Sequence, residues 1–459
     1  MTEKYDVIWI GTGQATGTVI PRLVEAGKTI AIAEGGKFGG SCVNYGCTPT
    51  KTLVASARAA HMARRGPDFG VKTGEIEIDF QRVMERQNQM RTSTSEGLES
   101  WLRGLDEVTI YDEYALLEGP HSVRVGKEVI RGETIIINAG GRSRVIPIEG
   151  IEEVDWLDNT RMLDLKQLPD HLVIVGGSYI GLEFAQIFRR LGSRVTVLEG
   201  GSQLMFREDA DIAEIAREVL SGEGVDVRLN AQVASLAQPR KEHIEVSFQQ
   251  DGEEQQVSGS HLLLAVGRVP NSDRLNPEAA GLEVDDRGYI QVNEVMQTSV
   301  PHIYALGDIN GEGAFTHTAV NDGEIFWDHF SGDSDRTLDQ RISTYALFID
   351  PPLGRVGMSE KEARESGRNI WMAVMPMDQI ARAKEKDETA GMVKILVDKD
   401  SEEIVGAAVF GVGGDEVANV FTPFMYTGAS YKLFRKAVLT HPTVAELLPW
   451  ILDDLQPLD

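Results

Sequence analysis

The sequence predicts an α/β fold, because the order of strand, glycine-rich turn, helix, strand and acidic residue occurs twice, about 165 residues apart. The region from about Tyr345 onward has no such turn and combines alternating apolar strands with amphipathic helices. The chain has 459 residues, which is enough for about three domains at ~150 residues each. We therefore expect two Rossmann-like dinucleotide-binding domains followed by a C-terminal α+β domain.

The first repeat contains the glycines and the acid that a dinucleotide site needs. An apolar strand over residues 5–10 leads into a turn with Gly11 and Gly13, and a strand over residues 29–33 ends on Glu34, 23 residues after Gly11. Glycines let backbone amides at a helix N-terminus approach a pyrophosphate, and the acid accepts hydrogen bonds from a ribose. This repeat predicts one nucleotide site.

The second repeat has the same order and spacing. A strand over residues 172–175 leads into its turn, where Ser178 replaces the middle glycine. Its candidate binding residues are Gly176, Gly177, Gly181 and Glu199. Two matched repeats predict two nucleotide cofactors, and the alternative is a duplicated domain with one inactive site.

Two further glycine turns suggest where the second domain is inserted into the first. A strand over residues 134–137 closes on Gly140, and one over residues 262–264 closes on Gly267. Residues 147–150 resemble a linker, and a strand over residues 303–305 leads to Asp308. The predicted domains are residues 1–150 with 268–340, residues 151–267, and residues 341–459.

Cys42 and Cys47 are the only cysteines, and four residues separate them. This spacing is compatible with two structural cysteines, but a chain that keeps only two close thiols favours sulfur chemistry. Residues 48–51 predict a helix start, whose N-terminus and Lys51 should lower a thiolate pKa.

The formal net charge of −26 and the pI near 4.8 disfavour nucleic acid and anionic membrane surfaces as partners. No apolar run reaches the ~20 residues of a membrane span, and the first residues lack a secretory signal pattern. We expect a cytoplasmic protein without a resident metal.

Five motifs occur in the order typical of one enzyme family. They are the two repeats, the cysteine pair, residues 305–308 (Ala-Leu-Gly-Asp) and residues 441–446 (His-Pro-Thr-Val-Ala-Glu). Over its whole length the chain resembles the FAD-dependent pyridine nucleotide-disulfide oxidoreductases, which are homodimers. Residues 48–53, 206–209 and 348–358 look most like the mercuric-reductase-like branch, which includes the reactive-chlorine-resistance copper(II) reductases.

The resemblance implies roles for individual residues. The first domain would bind FAD through Gly11, Gly13, Glu34, Gly40, Ser41, Lys51, Ala115, Gly140 and Asp308. The second domain would bind NADH through Gly176, Gly177, Gly181, Glu199 and Gly267. Cys42 and Cys47 would form the redox disulfide, with Cys47 nearer the flavin and Cys42 attacking the acceptor. Lys51 and Glu183 would lie beside the reactive flavin nitrogen. His441, oriented by Glu446, would serve Cys42 of the other subunit, so that each homodimer shares its active sites.

Glu199 and the lack of closely following arginines favour NADH over NADPH, because an acid at this position repels the 2′-phosphate. Three functions stay open at this point. The first is a reductase of a small disulfide, a metal ion or a quinone, and the second is a dihydrolipoyl dehydrogenase. The third is a redox sensor that binds flavin and NADH.

Overall fold

The first domain is built on a parallel sheet whose strands come from distant parts of the chain. The computed structural model describes residues 3–332 and 336–458, so the predicted domain limits at 1 and 459 and positions 333–335 lie outside the described residues. The parallel strands lie in the order Val108–Tyr111, Ile30–Ala33, Lys4–Ile10, Glu128–Ile137 and Ile303–Ala305. Ser122–Val125 and Ala115–Gly119 extend this sheet as antiparallel strands.

Helices cover this sheet and carry the cysteines. Those of the first domain are Thr16–Glu25, Gly40–Tyr45, Cys47–Arg65, Phe80–Arg103 and Thr316–Ser331. The strand Lys4–Ile10 is buried at its centre, where Val7, Ile8 and Trp9 have no exposed surface, as expected for a parallel sheet covered on both faces.

The second domain repeats this architecture. Its parallel strands lie in the order Asp226–Arg228, Arg194–Leu198, His171–Val175, His261–Leu264 and Trp156–Leu157. Its helices are Asn159–Met162, Tyr179–Leu191 and Ala210–Gly222. An antiparallel sheet of Gln232–Arg240, His243–Gln250 and Glu253–Gly259 is attached to it.

The chain enters and leaves the second domain side by side, because Gly141–Ser143 pairs antiparallel with Arg268–Pro270. The linker expected at residues 147–150 has no helix or named strand and is packed against the second domain. Ile148 is buried, and the carbonyl oxygen of Glu149 accepts a hydrogen bond from the amide of Leu236 at 2.8 Å. This segment is fixed to the antiparallel sheet because its apolar side chain joins the core there.

The C-terminal region forms one antiparallel sheet with short helices. Its strands lie in the order Thr344–Leu347, Leu353–Gly357, Ile404–Phe410, Met392–Asp398, Ile370–Pro376 and Gln456–Pro457. Its α-helices are Glu360–Glu365, Ala381–Glu385, Gly414–Val417, Phe421–Tyr426, Tyr431–Phe434 and Leu448–Ile451.

Short 3₁₀ helices connect these elements along the chain. They are Gly66–Phe69, Ile151–Glu153, Ser272–Arg274, Pro277–Ala280, Leu338–Gln340, Met377–Gln379, Ala418–Val420, Ala445–Leu447 and Leu452–Asp454. Within residues 3–332 and 336–458, no helix has both the length and the apolarity required to cross a membrane. The predicted α/β fold class, with two nucleotide-binding folds and a C-terminal α+β region, is confirmed.

Candidate active site

Both glycine turns lead into helices whose first amides have no side-chain cap. Ala15 is the N-cap of the helix Thr16–Glu25, and Ser178 is the N-cap of Tyr179–Leu191; neither side chain accepts a hydrogen bond from its helix. Uncapped amides at a helix N-terminus fit an anionic group. The two turns therefore have the donors that the pyrophosphates of FAD and a nicotinamide dinucleotide need.

The acids at the two strand ends have matching contacts. Glu34 accepts hydrogen bonds from the amide of Thr12 at 2.9 Å and from the amide of Gly36 at 2.8 Å. Glu199 accepts them from the amides of Gly177 and Gly201, both at 2.7 Å. Each carboxylate is therefore held against the glycine turn of its own unit, at the position predicted to meet a ribose.

Close backbone contacts explain two of the candidate glycines. A Cβ atom on Gly40, whose φ is +61°, would lie 3.2 Å from the Cα atom of Gly13. A Cβ atom on Gly181 would lie 2.2 Å from the carbonyl oxygen of Gly176. The first contact brings the cysteine-bearing helix against the first nucleotide turn, and the second seats the helix Tyr179–Leu191 on its turn.

Ser41 and Asp308 both contact Arg268, a residue that was not among the predicted site residues. The Arg268 guanidinium donates to the carbonyl oxygen of Gly141 at 2.5 Å and to Ser41 Oγ and Asp308 Oδ2, both at 3.4 Å. Burial raises the pKa of Asp308, and Arg268 opposes this increase. The structure thus brings together two candidate flavin contacts from opposite ends of the first domain.

The remaining predicted cofactor contacts are positioned by backbone. Gly140 and Gly267 adopt positive φ angles of 63° and 107° in the turns beside the paired segments 141–143 and 268–270. Ala115 is buried at the start of the strand Ala115–Gly119, where it pairs with Val125. Cofactor contact by these three residues stays a prediction.

The two cysteines lie on consecutive helices. Cys42 belongs to Gly40–Tyr45 and Cys47 is the first residue of Cys47–Arg65. Both are free thiols, Cys42 is half-buried, and Cys47 is exposed. Cys47 Sγ lies 3.3 Å from the hydroxyl oxygen of Thr316, which begins the helix Thr316–Ser331. Two helix N-termini therefore meet at Cys47, and both favour a negative charge.

The two thiols differ in acidity because they share a hydrogen bond. The thiol of Cys42 donates to Cys47, which lowers the pKa of Cys47 to about 6 against the opposing effect of burial; Thr316 and Lys51 lower it further. The same hydrogen bond and burial raise the pKa of Cys42. Cys47 is thus the thiolate of the pair, while Cys42 needs a base to become one.

Lys51 and Glu183 form an ion pair between the first and second domains. Lys51 Nζ lies 2.8 Å from both carboxylate oxygens of Glu183. Glu183 is buried and also accepts a hydrogen bond from the amide of Phe348 at 3.1 Å. The Lys51 ammonium lies 4.6 Å from the centroid of the Phe348 ring. Lys51 is one helical turn from Cys47, so this pair lies beside the thiols.

His441 and Glu446 form the predicted pair near the C-terminus. His441 Nδ1 lies 2.7 Å from Glu446 Oε2, and the histidine side chain is 77% exposed. The carboxylate fixes the ring and leaves Nε2 available to another molecule, an arrangement used by general bases. Its action on a thiol of the partner subunit stays a prediction.

Sequence reasoning missed Thr316, Arg268 and Phe348 as members of this site. Thr316 is 269 residues from Cys47 along the chain, so no local spacing could reveal their contact. Arg268 follows the predicted Gly267 turn, and this position beside a candidate cofactor contact was a usable signal. Phe348 contacts Glu183 through its backbone amide and Lys51 through its ring, and both contacts join distant parts of the chain.

Comparison with known proteins identifies the family. Residues 5–323 match the family model described as pyridine nucleotide-disulphide oxidoreductase, and residues 343–452 match its dimerisation domain. The probable pyridine nucleotide-disulfide oxidoreductase RclA of Escherichia coli is 36% identical over 454 residues, covering 97% of this chain and 98% of RclA. A dihydrolipoyl dehydrogenase of Vibrio cholerae is 30% identical over 449 residues, covering 96% of this chain and 94% of that enzyme.

A solved structure agrees with these relationships. The Cu(II) complex of the HOCl-induced flavoprotein disulfide reductase RclA from Escherichia coli superposes with a TM-score of 0.87 at 35% identity, covering 98% of this chain and 99% of that one. The resemblance inferred from the motifs is confirmed, including the branch. The family is FAD-dependent with NAD(P)H as substrate, and its dimerisation domain supports a homodimer. The chain therefore belongs to the pyridine nucleotide-disulfide oxidoreductase family of flavoenzymes.

Proposed function

We propose that this enzyme passes electrons from NADH through FAD and the Cys42–Cys47 pair to Cu(II). The observation that carries the proposal is the unequal thiol pair, in which Cys47 has a pKa of about 6 and Cys42 stays protonated beside it. Such a pair can hold two electrons as a dithiol and release them as a disulfide. NADH rather than NADPH is proposed because Glu199 is held at the ribose end of the second unit.

Bound FAD would accept a hydride from the nicotinamide and pass two electrons to the disulfide. The chain's contribution is to position groups around it. The Gly11–Gly13 turn offers uncapped helix amides to the pyrophosphate. Lys51 is oriented by its ion pair with Glu183, and a cation near the flavin favours its reduced, anionic form.

Cys47 and Cys42 have different tasks in this scheme. Cys47 accommodates negative charge where two helix N-termini meet, and Cys42 is the thiol that meets the acceptor. Conversion of the Cys42 thiol and the Cys47 thiolate to a disulfide releases two electrons and one proton, and the two electrons suffice to reduce two Cu(II) ions to Cu(I). Cys47 is exposed and Cys42 is half-buried, so a small acceptor ion can approach the pair.

Cu(II) is the proposed acceptor because RclA, with its copper complex, is more similar to this chain than the dihydrolipoyl dehydrogenase is. The metal ion is the substrate in this proposal and not a resident cofactor.

We also propose a cytoplasmic location, because a thiol pair that must be reduced repeatedly suits a compartment that keeps thiols reduced. We also propose the domain boundaries predicted from the sequence, which are residues 1–150 with 268–340, residues 151–267, and residues 341–459.

A small disulfide is the second candidate acceptor, and the His441–Glu446 pair favours it. Cys42 has a raised pKa, so attack on a disulfide needs a base that accepts its proton. The attack forms one mixed disulfide and releases one thiolate, which the protonated histidine can neutralise. Attack by the Cys47 thiolate on the mixed disulfide then forms the Cys42–Cys47 disulfide and releases the second thiolate. In a homodimer with shared sites, the partner subunit would supply this histidine.

Anaerobic steady-state oxidation of NADH by the purified holoenzyme tests the proposal. The acceptor panel consists of Cu(II), lipoamide, glutathione disulfide, Hg(II) and a quinone. We expect Cu(II) to give the highest kcat/KM, with two Cu(I) formed per NADH, detected by a Cu(I)-specific chelator.

Cys42→Ser should abolish Cu(II) reduction while leaving flavin content unchanged. His441→Ala should slow only the reduction of the disulfide acceptors. A preference for lipoamide would identify the second candidate instead. If NADH and NADPH reduce the flavin but no acceptor turns over, a redox sensor explains the chain better.

A further inference from the structure

A cleft at one end of the C-terminal sheet contains none of the candidate active-site residues. It lies where the end of the strand Leu353–Gly357, the start of the strand Ile404–Phe410 and the end of the helix Phe421–Tyr426 meet. The two strands are neighbours there, because Gly357 pairs with Gly406. The residues that line this C-terminal cleft include Ile342, Met358, Arg368, Glu403, Met425 and Gly428.

Arg368 brings a positive charge to the cleft, and it is held from one side only. Its Nε atom donates to Asp398 Oδ2 at 2.6 Å. The other oxygen of this buried carboxylate accepts hydrogen bonds from the amides of Asp400 at 2.8 Å and Ser401 at 3.3 Å. Among the described residues, no acceptor binds Nη1 or Nη2 of Arg368. The guanidinium is therefore oriented by the protein and keeps donors free for an anionic group.

Glu403 brings the opposite charge to the same cleft. It is half-buried, and the hydroxyl of Ser401, at 3.3 Å, is the one hydrogen-bond donor to its carboxylate among the described residues. A Cβ atom on Gly428, whose φ is +61°, would lie 3.3 Å from Glu403 Oε1, so the glycine leaves this oxygen uncovered. Arg368 pairs with Asp398 instead, and Glu403 forms no ion pair with any residue that the structure describes.

Two opposite charges that face one cleft without pairing with each other select for a ligand with both charges. A simple anion would be attracted by Arg368 and repelled by Glu403, and a simple cation would meet the reverse. A carboxylate and an ammonium group on one small molecule satisfy both residues. The net charge of the chain, −26, repels anions at long range but does not oppose the approach of a neutral zwitterion.

The rest of the cleft is apolar and small. Ile342, Met358 and Met425 contribute apolar side chains to its lining, and methionine side chains adapt readily to the shape of a ligand. The volume of the cleft is about 220 Å³. This equals about seven water molecules at ~30 Å³ each, and it is below the ~300 Å³ at which pockets for drug-sized ligands begin. The cleft therefore suits one small molecule rather than a peptide.

We propose that the C-terminal cleft binds a free α-amino acid with an uncharged aliphatic side chain, of about the size of leucine. Its carboxylate binds the free nitrogens of Arg368, and its ammonium group binds Glu403. Its side chain packs against Ile342, Met358 and Met425. This binding site is distinct from the thiol pair, and the inference does not depend on which electron acceptor the enzyme uses.

Ligand-observed NMR titration of the purified holoenzyme with leucine and two analogues tests the proposal. Leucinamide keeps the ammonium group but lacks the carboxylate, whereas N-acetylleucine keeps the carboxylate but lacks the ammonium group. We expect leucine to bind with a Kd below ~1 mM. Each analogue should bind at least ~10-fold more weakly, because one hydrogen-bonded charge pair is lost.

Two variants connect each charge of the ligand to one residue. Arg368→Gln should weaken leucine binding about 10- to 100-fold and change the Kd of leucinamide less than twofold, since leucinamide has no carboxylate. Glu403→Gln should weaken leucine binding similarly and leave N-acetylleucine unaffected. Asp398 keeps its two backbone donors in Arg368→Gln, and Glu403→Gln preserves the shape of the side chain, so both variants should fold.

Arg382→Gln is the matched control, because Arg382 lies in the same domain and forms an exposed ion pair with Glu385 at 2.9 Å. It should leave all three Kd values unchanged. The inference would be overturned if leucine did not bind, or if leucine and the analogues bound equally well. It would also fail if a variant weakened leucine and its matched analogue by the same factor, since this result would indicate a general loss of structure.

Discussion

Lys51 and Glu183 come from different domains and form a symmetrical ion pair, with the ammonium nitrogen 2.8 Å from each carboxylate oxygen. Glu183 is buried, so it needs this cation to compensate its loss of solvation. Lys51 in turn is one of the groups that lower the pKa of Cys47. The pair thus connects the orientation of the two nucleotide-binding domains to the charge beside the thiols.

Lys51→Met should slow NADH-driven flavin reduction at least ~10-fold, because a cation that favours reduced flavin is removed. Stopped-flow absorbance of the anaerobic holoenzyme measures this rate. Lys28→Met is the matched control, since Lys28 forms an exposed ion pair with Asp6 at 3.9 Å. A similar loss in both variants would mean that the effect is not specific to the Lys51 position.

Cys47→Ser should remove a spectroscopic signal without removing the flavin. NADH added anaerobically to the wild type should give a broad long-wavelength charge-transfer band, because the Cys47 thiolate would lie against oxidised flavin. The serine hydroxyl stays protonated and cannot contribute this band. If the band persists in Cys47→Ser, the roles assigned to the two sulfurs are wrong.

The reactivity of Cys47 should depend on pH with a midpoint near 6. A thiol whose pKa is lowered is protonated below that value and becomes the reactive thiolate as pH rises through it. Iodoacetamide alkylation of the reduced protein, quantified by peptide mass spectrometry, gives the midpoint.

Cys42→Ala removes the hydrogen-bond donor that is the largest cause of this lowered pKa. The alkylation midpoint should therefore move upward, toward the value of an ordinary thiol. An unchanged midpoint in this variant would show that the helix N-termini and Lys51 suffice to lower the pKa of Cys47.

NADH should be preferred over NADPH by at least ~10-fold in kcat/KM, an effect of about 1.4 kcal/mol. Glu199 is fixed by two backbone amides, so it cannot easily move away from a 2′-phosphate. Steady-state kinetics with both nucleotides provides the ratio. The Arg207→Ala variant provides a second test, because Arg207 is the first cation that follows Glu199 in the sequence. Its loss should increase the preference for NADH over NADPH.

Mixing Cys42→Ser subunits with His441→Ala subunits should restore activity toward a disulfide. Each heterodimer would contain one site with both defects and one with neither, so a statistical mixture should reach about a quarter of the wild-type rate. Verified heterodimers that stay inactive would place both residues in a site built by a single chain. Each variant mixed only with itself is the control.

Patterns of closely spaced residues were sufficient to predict much of this protein's local structure. The two glycine turns, their strands and their terminal acids follow from spacing within about 25 residues, and in the structure Glu34 and Glu199 bind amides of their own turns. His441 and Glu446 are five residues apart and meet at 2.7 Å. Side-chain type and local backbone geometry determine such contacts, so the sequence alone predicts them.

Tertiary structure alone decided which distant residues complete the site. Thr316 reaches Cys47 and Arg268 joins Ser41 to Asp308 only because distant parts of the chain pack together. Burial of apolar surface drives that packing and is not directional, so it leaves no spacing rule in the sequence for these contacts. The folded arrangement of the two thiols lowers the pKa of Cys47 and raises that of Cys42, a difference that two identical cysteines in a sequence cannot express.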